Sequence, residues 1–148
     1  MKKVFSVLVA LSMVLCAGYA MAEKPLTPEK VDGFTLVDAD WVKANVGTLT
    51  IVDARKKGEY VENHVQGAIS IPYKEKSAKN VVFDETKDKW NMSKFPSDKS
   101  TPIVVYCNGV KCWKSYKSAV RLAKAGYKKI YWLREGFPGW QSKGYPVD

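Results

Sequence analysis

A chain of 148 residues has room for one domain of ordinary size and not for two, and 46% apolar residues suffice for a core without staples. Five Trp, eight Tyr and repeated Val/Ile runs exclude a disordered chain. The net charge of +9 favours anionic small molecules or acidic partners, but the lysines are scattered as on solvated faces, which argues against nucleic acid.

In chain order, Met1-Lys2-Lys3 is a short basic start, and Val4 to Ala17 is apolar but for Ser6 and Ser12. Ala20-Met21-Ala22 then supplies a small-x-small site just before Glu23-Lys24. These parts are those of a secretory signal peptide over residues 1–22, cleaved in the mature protein, and they predict a periplasmic or otherwise exported location. As an uncleaved anchor the run is short, since a bilayer span needs roughly 20 apolar residues, so no stable span is expected after cleavage. Bulky Val14 and Leu15 disfavour a lipid-modified Cys16. Cleavage removes Lys2 and Lys3 from the 24 basic residues and none of the 15 acids, so the charge falls from +9 to +7. It also removes Cys16. The mature chain keeps Cys107 and Cys112, which in an oxidising compartment form either a disulfide or a reactive site.

Residues 23–33 are a Pro- and charge-containing lead-in, expected to be loosely held, and residues 34–148 are the domain. Phe34 to Val37 is a short strand, after which Asp38 or Asp40 caps a helix through about Val46 that Gly47 ends. Thr48 to Ala54 suits a buried parallel strand, Gly58 to His64 one or two helical turns, and Ala68 to Ile71 a strand stopped by Pro72. A polar, Lys-rich stretch from Lys74 to Ser100 is expected to be partly helical, anchored by Trp90, Met92 and Phe95. Ile103 to Tyr106 is the clearest strand. Lys114 to Ala125 has helical spacing with Gly126 as its stop, and Ile130 to Leu133 is the last strand. This alternation predicts an α/β domain of three layers, with a mostly parallel central sheet flanked by helices.

Chemistry concentrates in Tyr106-Cys107-Asn108-Gly109-Val110-Lys111-Cys112-Trp113-Lys114-Ser115. A Cys at the carboxyl end of a buried strand sits where open α/β sheets collect ligands. A glycine-containing loop leading into a helix aims backbone N–H groups and a partial positive charge at one centre. Such a cradle favours a thiolate and the anion it attacks, and Lys111 and Lys114 add charge. An ordinary buried structural Cys is the alternative.

The ordered set of segments resembles the rhodanese (sulfurtransferase) family. Ile51-Val52-Asp53-Ala54-Arg55, Glu59-Tyr60, His64-Val65-Gln66-Gly67-Ala68-Ile69 and Ile71-Pro72 are similar to its amino-terminal signature. Ala125-Gly126-Tyr127, Ile130 to Leu133 and Glu135-Gly136-Phe137-Pro138-Gly139-Trp140 are similar to its carboxyl-terminal end. The resemblance covers about Phe34 to Pro146. It implies a rhodanese-like domain in which Cys107 takes a sulfane sulfur from a small anionic donor such as thiosulfate. The sulfur then passes to a cyanide-like acceptor or a thiol, including a protein thiol. The loop from Asn108 through Gly109, Val110 and Lys111 to Trp113, with Lys114 and Ser115, would bind the donor, and no metal or organic cofactor is implied. Asp53 and Arg55 are expected to tie the sheet's end together, and His64 to fix a turn rather than act as a base. Phe137 and Trp140 are expected in the core or at its rim.

Two departures stand out. The loop carries about two residues more than the usual one and ends in Lys114-Ser115, where Arg followed by Ser or Thr is common; Lys offers a point charge in place of a planar fork. Cys112 adds a Cys-x4-Cys-Trp element. It could resolve a persulfide on Cys107, act with it as a redox switch, or lock it in a static disulfide. Phosphatase or arsenate-reductase chemistry wants Cys-x5-Arg, and Trp113 stands at that Arg position. A persulfide-delivery module docking through exposed Trp113 is a further alternative, and Trp113 as a pocket wall suits the pattern equally.

Overall fold

The computed structural model describes residues 21–148. The leader expected over 1–22 therefore lies, but for its last two residues, outside the described residues. Nine regular elements follow: β1 (Thr35–Val37), α1 (Ala39–Asn45), β2 (Thr50–Asp53), α2 (Lys57–Glu62), β3 (Ile69–Ser70), β4 (Ile103–Tyr106), α3 (Trp113–Lys124), β5 (Ile130–Leu133) and α4 (Gly136–Ser142). The strands form one sheet in the order β1-β5-β4-β2-β3, and every strand pair is parallel.

The layers follow from the two-residue period of the strands. Val52, Ile103 and Val105 face one side and pack with Ala119 and Leu122 of α3. Ile51, Val104 and Tyr106 face the other and pack with Ala39 and Val42 of α1 and Phe137 and Trp140 of α4. β4 lies between β5 and β2, and all four of its residues are buried, which explains its unbroken apolar run. Continuing the alternation one step past the strand puts Cys107 on the α3 side.

Asp38 is the cap of α1, its Oδ1 accepting the Trp41 N–H at 2.8 Å. Asp40 instead meets the Tyr145 hydroxyl and the Lys143 ammonium. The stretch from Lys74 to Ser100 is helical only in two 3-10 turns, Glu85–Lys87 and Met92–Lys94. Trp90 and Phe95 are its buried anchors, with Met92 packed alongside. Between them Asp88 accepts hydrogen bonds from the Tyr73 hydroxyl, the Ser77 hydroxyl and the Lys76 and Ser77 amides. Lys117 of α3, fully buried, reaches the same network through Ser77 Oγ at 2.7 Å and Glu75 at 2.9 Å. Among the described residues, no helix is long and apolar enough to cross a membrane.

The lead-in is pinned at Thr27. Thr27 is buried, and its amide and hydroxyl both donate to Val110 O, at 2.9 and 2.8 Å. Arg134 donates back to Thr27 O at 2.7 Å. The segment's ties are to backbone carbonyls, which its polar composition does not advertise.

Candidate active site

The Cys107 sulfur sits where a helix cap would. Its own side chain is fully buried, and Sγ accepts the Ser115 N–H at 3.4 Å. Ser115 is the third residue of α3, so this is the donor that an N-cap side chain ordinarily satisfies. Cys112, the residue at the N-cap position, makes no such bond. A sulfur from the preceding strand end therefore caps α3 and meets the positive end of its dipole.

A second contact reinforces the first. Ser115 Oγ lies 3.0 Å from Cys107 Sγ and accepts the Trp132 Nε1–H at 2.9 Å. In the bridge to Cys112 the Cys107 sulfur carries no proton, so the Ser115 hydroxyl is the donor of this contact. The residue just past β4 is Cys107, α3 supplies Ser115 and β5 supplies Trp132, all on one face of the sheet.

The backbone of Cys107 is held from the opposite side. Its carbonyl accepts the Phe137 N–H at 2.8 Å, at the start of α4. Gly136 makes this approach possible: at φ 63° it occupies the left-handed region, and a Cβ there would fall 2.5 Å from the Gly109 nitrogen and closer still to the Cys107 carbonyl oxygen.

Cys107 and Cys112 are joined as a disulfide, their Cα atoms 6.4 Å apart. The Cys112 carbonyl lies 3.3 Å from Cys107 Sγ, an acceptor for an S–H once the bridge is open. Between the two cysteines the loop turns at Gly109 (φ 102°), closed by Cys112 N–H to Gly109 O at 2.9 Å. Asn108 Nδ2 donates to Glu59 Oε1 at 2.6 Å, tying the loop to α2. Burial opposes the Glu59 charge, but the Asn108 amide, the Lys56 N–H and the charges of Arg55 and Lys114 hold its carboxyl below the usual range. Val110 is held by Thr27.

Trp113 is buried, contrary to its reading as an exposed docking aromatic. It packs edge-on against Tyr116, and its indole donates to Pro25 O at 2.9 Å beneath the lead-in. It does contribute to the wall of a cavity of about 390 Å³ shared with Lys24, Lys56, Glu75, Lys79, Asn108, Lys111, Cys112 and Lys114. Of the loop residues read from the sequence, Asn108, Lys111, Trp113 and Lys114 line this cavity and Ser115 bonds the sulfur, whereas Gly109 and Val110 line a different one.

Asp53 and Arg55 are buried away from solvent as an ion pair. Arg55 Nη2 donates to Asp53 Oδ2 at 2.7 Å and to Asn63 O at 2.7 Å, while its guanidinium lies 4.0 Å from the Phe137 ring centre. The Tyr106 hydroxyl donates to Asp53 at 2.7 Å and accepts the Val65 N–H at 3.1 Å. Burial and the Asp53 charge push the Tyr106 hydroxyl well above its usual range, so it stays a donor. This pair closes the end of the sheet, and Tyr106, which bonds it, immediately precedes Cys107. His64 stacks on Tyr60 and bonds the Tyr60 carbonyl through Nδ1 at 2.8 Å, fixing the turn.

Sequence reasoning did not single out Thr27, Trp132 or Gly136 as parts of the site, and it placed Glu59 only in a signature. Trp132 was within reach of the strand period, which sets it on the same face as Cys107. The others act through contacts distant in sequence.

The model of the rhodanese-like domain family matches residues 38–143, and the chain belongs to that family. It is similar to the HTH-type transcriptional regulator Rv0324 of Mycobacterium tuberculosis, 30% identical over 106 residues that make up 72% of this chain and 40% of the regulator. It is also similar to the thiosulfate sulfurtransferase GlpE of Actinobacillus succinogenes, 26% identical over 129 residues, 86% of this chain and 93% of that one. Across the curated relatives at 30–31% identity, the chain spans 40% to 60% of the relative's length. Among solved structures, the BH2092 protein of Bacillus halodurans aligns with a TM-score of 0.59 at 23% identity, covering 78% of this chain and 77% of that one. This likeness is one of fold.

Proposed function

We propose that this protein is a rhodanese-type sulfurtransferase that carries a sulfane sulfur on Cys107. The observation that carries the reading is the cap on α3: a cysteine at a sheet's carboxyl end whose sulfur receives both the N–H and the hydroxyl of Ser115. In the reduced protein the Cys107 thiolate attacks the outer sulfur of thiosulfate or a related donor. The donor's S–S bond breaks, sulfite leaves with the electron pair, and Cys107 holds a persulfide. A thiolate or cyanide then takes the outer sulfur, and Cys107 departs as the thiolate it began as. The lysines at the cavity neutralise the donor's charge, and the signal-peptide pattern of residues 1–22 supports an exported location for the reaction.

The disulfide favours a second reading, a thiol redox or persulfide-delivery module that uses the Cys107/Cys112 pair with a protein partner. Intact-protein mass spectrometry on reduced protein, before and after thiosulfate or a polysulfide, separates the two. A gain of one sulfur that vanishes in Cys107→Ser supports transfer. No gain, with loss of two protons on mild oxidation, supports the redox pair.

A further inference from the structure

The two sulfurs of the bridge have unequal surroundings. Cys107 is fully buried, whereas Cys112 is half-buried and lines the cavity of about 390 Å³. That cavity is a meeting point of lysines from separate parts of the chain: Lys24 of the lead-in, Lys56 before α2, Lys79 of the long excursion, and Lys111 and Lys114 of the loop. Its single acidic residue, Glu75, is ion-paired with buried Lys117 at 2.9 Å, so its charge is already matched. A cavity with so strong a cationic excess concentrates small anions. The leaving group is prepared on the other side of the bridge: of the two sulfurs only that of Cys107 is bonded by Ser115, whose hydroxyl is held by Trp132, and only it accepts the N–H that caps α3, Cys112 making no such bond from the N-cap position. In thiol–disulfide exchange the accessible sulfur is attacked and the better-stabilised thiolate departs.

We propose that the lysine-lined cavity admits a small anionic thiol that opens the bridge by attacking the Cys112 sulfur. The step balances as an exchange. The incoming thiolate forms an S–S bond to Cys112, the Cys107–Cys112 bond breaks, and Cys107 leaves with the electron pair. A second thiolate then attacks the small thiol's own sulfur in the mixed disulfide, and Cys112 is freed as a thiolate while the two small thiols leave oxidised to each other. The exchange rests on the sulfur-transfer reading only for what the freed Cys107 does afterwards.

The test uses the full mature chain, isolated without reductant, and needs no sulfur donor, so its failure is distinct from failure of sulfur transfer. Mercaptosuccinate, 2-mercaptoethanol and cysteamine are compared as anionic, neutral and cationic thiols, with rates normalised to thiolate concentration. Reactions are stopped with N-ethylmaleimide and the adducts located by peptide mapping. The expected result is mercaptosuccinate on Cys112 and maleimide on Cys107. At low ionic strength the anionic thiol should be at least about tenfold faster than the cationic one, a gap that closes near 1 M salt. Lys56→Gln with Lys79→Gln should narrow the gap without touching the loop. First attachment at Cys107, equal normalised rates for the three thiols, or a protein isolated without the bridge would each overturn the proposal.

Discussion

Replacing Ser115 with alanine removes a single oxygen that serves two partners. The Trp132 N–H, now 2.9 Å from that oxygen, is left buried without an acceptor, and the Cys107 sulfur loses the hydroxyl at 3.0 Å. An orphaned buried donor costs about 1–3 kcal/mol, and urea denaturation should show a loss of that size at unchanged slope. A hydrogen bond to a charged group contributes about 1.5–3 kcal/mol, which corresponds to roughly 10- to 150-fold in rate if it acts on the thiolate in the transition state. The assay is single-turnover persulfide formation on the reduced protein, followed by rapid quenching and intact mass. The Ser115 N–H remains in the variant, so the reaction should slow rather than stop. A variant that loses stability but forms persulfide at the parental rate would refute the reasoning and leave Ser115 a packing residue.

Three further outcomes follow from the geometry. Gly136→Ala should cost about 2–5 kcal/mol, combining a left-handed residue with a Cβ driven into the loop backbone, and denaturant midpoints measure it. Asp53→Ala leaves the Arg55 charge buried without its partner and should cost about 3–5 kcal/mol, while the paired change Asp53→Met with Arg55→Leu should cost less than the single one in the same assay. Asp88 is held at about 2, burial opposing its charge but the bonds from Ser77, Lys76 and Tyr73 outweighing it. Its folded value lies below the ordinary 3.8, so its contribution of about 2 kcal/mol is complete above pH ~4 and lost as the pH falls through ~2. Asp88→Asn should lower stability at neutral pH and flatten the acid limb of a stability-against-pH curve.

The central strands were readable because burial on both faces writes an unbroken apolar run, as in Ile103 to Tyr106, and the Cys at its end marked the candidate site. The five parallel strands agree with the alternation of short apolar runs and helical segments. α4 was not readable: Gly136, Pro138 and Gly139 all speak against a helix by propensity. It forms because Pro138 lies in the first turn, where its missing N–H costs nothing, and because Phe137 and Trp140 have a core to enter. The sequence groups Lys117 with the other lysines as a solvated charge, yet it is fully buried, since its acceptors come from Glu75 and Ser77 about forty residues away. The pinned lead-in was hidden for a similar reason: Thr27 bonds the backbone oxygen of Val110, and the Trp113 indole bonds that of Pro25, and backbone oxygens carry no residue-type signal.

The bridge between Cys107 and Cys112 spans a sequence separation of only five. In chain statistics, so small a ring removes little freedom from the unfolded chain: the loop-entropy relation gives about 2 kcal/mol, against roughly 4.7 for a hundred-residue loop. Cys107, with Cys112 packed beside it, is the ring's share of one apolar layer; the strands, the other layer's Ile51, Val104 and Trp140, and the Asp53–Arg55 closure lie outside the ring. Opening the disulfide should therefore change the surroundings of Cys107 at the end of β4 while leaving most of the folding free energy in place, so that denaturant midpoints of oxidised and reduced protein should differ by no more than about 2 kcal/mol.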